Sequence, residues 1–316
     1  MNPELSIIIP LFNEEGNLPE LYSRLTKIAG AITENYELVF VNDGSKDQTF
    51  ALLKKMASDG KVRYIGFSRN FGHQIAVTAG LNHCRGNAVV IIDADLQDPP
   101  ELIKDMYEKM KEGYEVVYAK RRSRQGEGFM KKITAKLFYR ILSKITTVDI
   151  PLDTGDFRII SRKIVDVLNK MPEQHKFLRG QISWVGFRQT YLEYDRAERV
   201  AGTTGYTYRK MIRFALDGIT SFSSFPLKFA SLAGFFVSFI AFVLILYALY
   251  GLFILKSNIP GWTSLMLSVL FIGGIQLLCI GIIGEYIGRI SSEIRNRPLY
   301  VISETNIEPA ARENNG

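Results

Sequence analysis

Two stretches of this chain leave little choice about where they can lie. Phe229 to Leu255 reads FASLAGFFVSFIAFVLILYALYGLFIL and Trp262 to Gly284 reads WTSLMLSVLFIGGIQLLCIGIIG, and neither contains a charged residue. Each exceeds the roughly 20 apolar residues that cross a hydrocarbon core, and core helices of soluble proteins are rarely so long and uncharged. Only KSNIPG separates them, so the pair is expected to form a helical hairpin that crosses a bilayer twice and keeps both ends on one side. The flanks identify that side. Arg209, Lys210, Arg213 and Lys228 precede the first run and Arg289, Arg295 and Arg297 follow the second, whereas Lys256 stands alone in the connector. Basic residues concentrate on cytoplasmic flanks, so residues 1–228 and the C-terminal tail are expected in the cytoplasm of a multi-pass protein of the cell inner (plasma) membrane. The N-terminal MNPELSIIIPLFNEE lacks a basic region before its short apolar run and does not read as a secretory signal.

The remainder is long enough to bury a core of its own. Cys84 and Cys279 are the only cysteines, and with His73, His83 and His175 they form no ligand-like spacing, so neither a disulfide framework nor a zinc site is indicated. The net charge of +7 points to an anionic partner, which composition leaves open between nucleic acid, a phosphorylated ligand and an anionic bilayer. Position selects the last two, because the basic clusters adjoin either the membrane or the ends of strands.

Before the hairpin, short β-branched runs alternate with amphipathic ones. LSIIIPL, YELVFVND, VRYIGFS, AVVIIDAD and EVVYAKR read as strands; NLPELYSRLTKIAGAI, QTFALLKKMASD, HQIAVTAGLNHC and PELIKDMYEKMKEG read as helices. This alternation predicts an α/β fold with a mostly parallel sheet covered by helices on both faces. Ligands of such sheets bind beyond the carboxyl ends of the strands, and the unusual polar residues cluster there: Asn13 and Glu14 after the first strand, Asn42 and Asp43 after the second, Asn70 and His73 after the third, Asp93 and Asp95 after the fourth. There is no G-x-x-x-x-G-K-[ST], and no G-x-G-x-x-G follows the first strand, which argues against a simple ATPase or dehydrogenase. A nucleoside diphosphate bound without a glycine-rich loop still needs its charge neutralised, and a divalent Mg2+ or Mn2+ held by carboxylates does so. Asp93 and Asp95 are the candidates. Acids at i and i+2 of a strand face opposite ways, so a shared ligand requires the chain to bend at Ala94.

In order along the chain, IIIPLFNEEGNL, VFVNDGSKDQT, FSRNFGHQIAVTAGL, IIDADLQDPPELI and DTGDFRIISRKIVD resemble the family 2 glycosyltransferases of the polyprenyl-phosphate type, the bactoprenol glucosyltransferase and dolichol-phosphate mannosyltransferase group. With the two apolar spans the likeness takes in most of the chain. It implies a GT-A (Rossmann-like) catalytic domain at 1–205, a juxtamembrane interfacial segment at 206–228, two transmembrane helices within 229–285 and a cytoplasmic tail at 286–316. It further implies that Pro10, Asn13, Glu14 and Asp43 hold the nucleotide-sugar, that Asp93 and Asp95 belong to a metal-binding D-x-D with Mg2+ or Mn2+, and that Gln97 lies next to the sugar. Asp156, in DTGDFR, takes the catalytic position beside Asp95. From the residues alone, Asp43 also fits a DGS turn and Asn13 a helix cap.

The stretch QISWVGF departs from the Q-x-x-R-W of processive relatives, with Ser183 in place of the arginine and Trp184 kept. Together with only two spans, this favours transfer of a single sugar. The expected reaction is inverting transfer of one hexose, glucose from UDP-glucose, to undecaprenyl (polyprenyl) phosphate. GDP-mannose and UDP-N-acetylhexosamine remain open as donors, as does a non-catalytic scaffold that binds nucleotide-sugars. The acceptor phosphate lies at headgroup level and calls for basic groups near the bilayer. KRRSRQGEGFMKKITAK and RAERVAGTTGYTYRKMIR supply them, with Arg122, Lys132 and Arg199 as the candidates, and FMKKITAKLFYRILSKI has the apolar stripe and basic face of an interfacial helix. Nucleic acid is not an expected partner. Gly274, Gly281 and Gly288, with Gly284, form a small-residue face able to pack on the other span or on a second copy in a homo-oligomer. Glu285 is expected to pair with Arg289 one turn on.

Overall fold

The computed structural model describes residues 2–122, 154–195, positions within 227–246, and residues 261–307. The four βα units expected from the sequence are present. They are β1 (Leu5–Leu11) and α1 (Leu18–Ile32), β2 (Tyr36–Asn42) and α2 (Thr49–Met56), β3 (Val62–Phe67) and α3 (His73–His83), and β4 (Ala88–Ile91) and α4 (Leu102–Lys111). Then follow β5 (Val116–Arg121), β6 (Thr154–Ser161), α5 (Arg162–Asn169), α6 (Leu178–Val185), β7 (Gln189–Tyr194), α7 (Trp262–Ile294) and β8 (Ile302–Thr305).

All eight strands form one sheet in the order β7-β5-β6-β4-β1-β2-β3-β8. β4, β1, β2 and β3 run parallel, whereas β6 lies antiparallel between β4 and β5, and β8 is antiparallel to β3. Every residue of β1 and β2 is buried, as befits central strands covered on both faces. On one face Ile7, Ile9, Leu38 and Phe40 pack with Leu18, Leu21 and Leu25 of α1 and with Ile103 and Met106 of α4. On the other, Ile8, Val39 and Val41 meet Ala76 and Val77 of α3, Ile164 and Val165 of α5 and Ile182 of α6. This is the α/β fold that the alternation of runs predicted, and the GT-A-like arrangement that the resemblance implied, with three strands beyond the five that were expected.

Among the described residues one helix is long and apolar enough to cross a membrane, over Phe271–Ile294. It belongs to α7, which continues past Gly284 for about three turns. The described positions within 227–246 are also helical. They lie against α7: Cys279 Sγ donates to Ala230 O at 3.6 Å, and Leu227, Ala230, Gly234, Ile272, Gln276 and Ile283 line a groove between the two segments. Among the described residues, a Cβ added at Gly274, Gly281, Gly284 or Gly288 meets nothing within 4 Å. Glu285 accepts from Arg289 Nε at 3.2 Å, as expected of that pair.

Candidate functional site

A crevice is built into the sheet where β1 parts from β4. The two strands pair only from Leu5↔Ala88 to Ile8↔Ile91, whereas β1 stays paired to β2 as far as Leu11↔Asn42. β2 and β3 extend to one side of β1 and β4 lies on the other, the switch-point arrangement in which parallel sheets open a ligand cleft. Pro10 lies beyond the last β1–β4 pair, where its missing N–H leaves no rung of that ladder broken.

The loops after the strands brace one another. Asn13 sits at φ +57°, its Oδ1 accepting Lys46 N–H at 2.8 Å and its N–H donating to Ser45 Oγ at 3.0 Å. It is not the cap of α1, a position held by Asn17, whose Nδ2 donates to Glu14 Oε2 at 2.7 Å. Asp43 is buried at the end of β2, and its two carboxylate oxygens take the backbone N–H groups of Phe71 and Gly72 at 2.6 and 2.9 Å. Burial raises the pKa of its carboxyl and the two N–H bonds oppose the rise. Asp43 thus ties β2 to the loop that delivers α3.

That loop carries His73 into a cluster. His73 Nε2 meets Asp93 Oδ1 at 2.8 Å, and its Nδ1 lies 3.8 Å from Asp156 Oδ2. One ligand atom from each of His73, Asp93 and Asp156 falls within 4.8 Å of the others, a grouping able to hold a metal ion. Asp156 Oδ1 is held by Arg179 Nε at 2.8 Å and by Arg158 Nη2 at 3.2 Å. Arg158 is fully buried on β6, with Nη2 also on Gly155 O at 2.8 Å. Burial alone pushes the Asp156 carboxyl upward. The charges of Arg179, His73 and Arg158 outweigh it and hold that carboxyl well below the usual carboxylate range. For His73 burial acts downward, but Asp93 first and Asp156 next raise it to about 9. Asp93 is lowered, its burial being overcome by His73.

Beyond β4 the chain does turn at Ala94 and Asp95, and Leu96 takes φ +57°. Asp95 is buried in that turn, with Oδ1 accepting the Gln97 N–H at 3.2 Å. The structure therefore brings Asp93 together with His73 and Asp156, and Asp95 is not one of the three. Arg122 is largely exposed and lies 3.5 Å from Asp195. Lys132 and Arg199 lie outside the described residues. Arg158 and Arg179 were not foreseen. Arg158 stands two residues past Asp156, where alternation on a strand puts both side chains on one face, a signal present in DTGDFR. Arg179 reaches the site from a separate helix, and no local spacing announces it.

Residues 6–168 match the family described as Glycosyl transferase family 2. Over 303 residues the chain is 52% identical to the uncharacterized glycosyltransferase YkcC of Bacillus subtilis, covering 96% of this chain and 94% of that one. It is 42% identical over 303 residues to the SfII prophage-derived bactoprenol glucosyl transferase of Shigella flexneri, with 96% and 98% covered. To the prophage bactoprenol glucosyl transferase homolog of Escherichia coli it is 42% identical over 300 residues, with 95% and 98% covered.

Proposed function

Because the chain belongs to glycosyl transferase family 2, we propose that it transfers one hexose, glucose from UDP-glucose, to a polyprenyl phosphate at the cytoplasmic leaflet of the membrane. The observation that carries the choice of substrates is the 42% identity to proteins named bactoprenol glucosyl transferase, which runs through 96% of this chain and so takes in both the crevice and the apolar helices.

In the reaction the bond from the anomeric carbon to the diphosphate breaks, UDP leaves with the electron pair, and an oxygen of the acceptor phosphate forms the new bond from the opposite face. The second pKa of a phosphate monoester is near 6, so at neutral pH that oxygen is already largely ionised and no proton need be removed. Asp156, kept anionic and held by two arginines, suits orientation of the sugar and of its basic neighbours better than general-base work, for which a carboxyl so strongly acidic is poorly matched. Pro10, Asn13, Glu14 and Asp43 shape the nucleoside side of the crevice, and Gln97 extends from the turn after β4.

The residues also fit a divalent ion. Two carboxylates and an imidazole in Asp93, Asp156 and His73, with Asp95 in the adjoining turn, suit Mn2+ and, with fewer protein ligands, Mg2+. Such an ion, when bound, supplies positive charge to the leaving diphosphate. Arg122, Lys132 and Arg199 are the proposed contacts of the acceptor phosphate, and 229–255 is the first of two spans, its described positions uncharged and, at Ala230, set against α7.

Purified protein given Mn2+, a short-chain polyprenyl phosphate and a panel of nucleotide-sugars should glucosylate the lipid from UDP-glucose and lose that activity in EDTA. Transfer from GDP-mannose instead would overturn the donor assignment. Failure of every donor with the lipid would overturn the reaction.

A further inference from the structure

The cytoplasmic end of α7 is fastened to the segment that delivers Arg179. Both carboxylate oxygens of Glu293 accept the backbone N–H of Gln174 at 2.9 Å, and His175 Nε2 meets Ser292 Oγ at 3.0 Å. These contacts pin the connector between α5 and α6, which is closed on itself where Lys176 Nζ donates to Met171 O at 2.6 Å. At its far end the Leu178 N–H donates to Gln74 Oε1 at 3.2 Å, one residue from His73, and Arg179 bonds Asp156. The middle of one short connector is therefore fixed to the apolar helix, and the helix it leads into, α6, carries in its first turn the residue that bonds the cluster.

An unanchored connector of this length loses little by sampling other backbone conformations, since each residue fixed costs roughly 1–2 kcal/mol of entropy. Hydrogen bonds to a carboxylate are about twice as strong as neutral ones, and Glu293 places one at the middle of the connector. Small displacements of a group that orients reacting atoms are costly, so the anchor acts on chemistry as well as on folding.

We propose that Glu293 is a positioning residue for the transfer reaction, acting through the 174–178 connector on Arg179 and thereby on the aim of Asp156. Its kinetic consequences rest on the transfer reading above. The end of the membrane-type helix is in this sense part of the catalytic machinery, and the site is complete only when that helix is seated.

The test uses the full chain in lipid nanodiscs, with Glu293→Ala, Glu293→Gln, Arg179→Lys and the double variant Glu293→Ala/Arg179→Lys, assayed with UDP-glucose, Mn2+ and polyprenyl phosphate. Glu293→Ala should lower kcat about tenfold and move KM for UDP-glucose less than about twofold. Glu293→Gln should recover most of the loss, because its amide oxygen still accepts the Gln174 N–H. Arg179→Lys should lower kcat by itself, and adding Glu293→Ala should lower it no further, the signature of two residues acting in one chain of contacts. An unchanged kcat in Glu293→Ala, or losses that multiply in the double variant, would overturn the proposal. Hydrogen–deuterium exchange over 171–181, without acceptor, reads the same link independently of turnover. Faster exchange in Glu293→Ala should extend to Leu178 and Arg179, and a change confined to 174–175 would overturn the coupling. Should the wild type transfer no sugar at all, the reaction assignment fails and the exchange measurement still decides the coupling.

Discussion

His73 is the residue whose surroundings change its chemistry most visibly. The sequence places it only at the end of a strand; in the structure it lies between Asp93 and Asp156. Its pKa is raised to about 9 against an ordinary 6.5, so in metal-free protein it contributes stability that is fully present below pH 6.5 and is lost as pH rises toward 9. The difference in Tm between wild type and His73→Gln, measured in EDTA, should therefore shrink across that interval; a constant difference would mean that the ion pair contributes nothing. Asp156 behaves in the opposite sense. Its folded pKa lies below the unfolded value, so it remains an anion throughout the working range, and on the proposed mechanism the titration that governs transfer is that of the acceptor phosphate. Activity should rise with pH through about 6 and then level off. Asp156→Asn should keep substantially more activity above pH 7.5 than Asp95→Asn, and its relative deficit should not grow as pH falls through 6, because an orienting carboxylate takes no proton from the acceptor. A loss as deep as that of Asp95→Asn would show that the carboxylate charge itself is indispensable. At this scale the sequence discloses the acids and conceals their partners. Asp93 and Asp156 stand out in IIDAD and DTGDFR, yet which oxygen His73 or Arg179 engages depends on α3 and α6 arriving from distant parts of the chain.

Among the elements, the βα units were legible because each obeys one period at a time: fully buried, mainly apolar runs for β1 and β2, and a single buried stripe of Leu18, Leu21, Leu25 and Ala29 for α1. What escaped were the strands whose pairing is not local. β6 inserts antiparallel between β4 and β5, and β8 is a four-residue, largely exposed strand that pairs with β3 from the far end of the chain. Nothing in the short ISET announces that partner. Helix α3 shows how tightly the legible units are fitted. Gly80, inside that helix, is a poor choice by propensity, but a Cβ built there would stand 2.3 Å from Ile8 Cγ2 on β1. Gly80→Ala should consequently destabilise by about 1–3 kcal/mol, overpacking outweighing the gain of up to about 1 kcal/mol in helix propensity. Denaturant unfolding is the measurement. The double variant Ile8→Ala/Gly80→Ala should lose less than the two single losses added together, because the new methyl fills space that the shortened Ile8 vacates; strict additivity would locate the strain elsewhere.

At the scale of the whole molecule, β8 converts a sequence pattern into a constraint on topology. It begins at Ile302, eight residues after α7 ends, and it is bound into the catalytic sheet. Lys54 and Glu304 form an ion pair at the same edge, Tyr64 N–H donates to Asn306 Oδ1 at 2.7 Å, and Tyr300 stacks on Phe67 with ring centroids 5.0 Å apart. With Glu293 on Gln174, these contacts hold the C-terminal end of α7 beside the catalytic domain. A helix of 33 residues is about 50 Å long at 1.5 Å per residue, more than the roughly 30 Å of a hydrocarbon core. If α7 crosses the bilayer, its first residue, Trp262, therefore lies on the face opposite the catalytic domain, and so does the connector KSNIPG just before it. On the proposed topology the basic flanks put the catalytic side in the cytoplasm. With Cys84 and Cys279 replaced by serine, a cysteine at Ser257 should react with an impermeant thiol reagent added to intact cells. A cysteine at the exposed Ser58 should react only after the cells are opened. Labelling of Ser58→Cys in intact cells would invert the orientation and remove the cytoplasmic donor from reach. Silence of Ser257→Cys in both conditions, with Ser58→Cys reactive only in opened cells, would mean that the connector stays buried and that α7 does not cross.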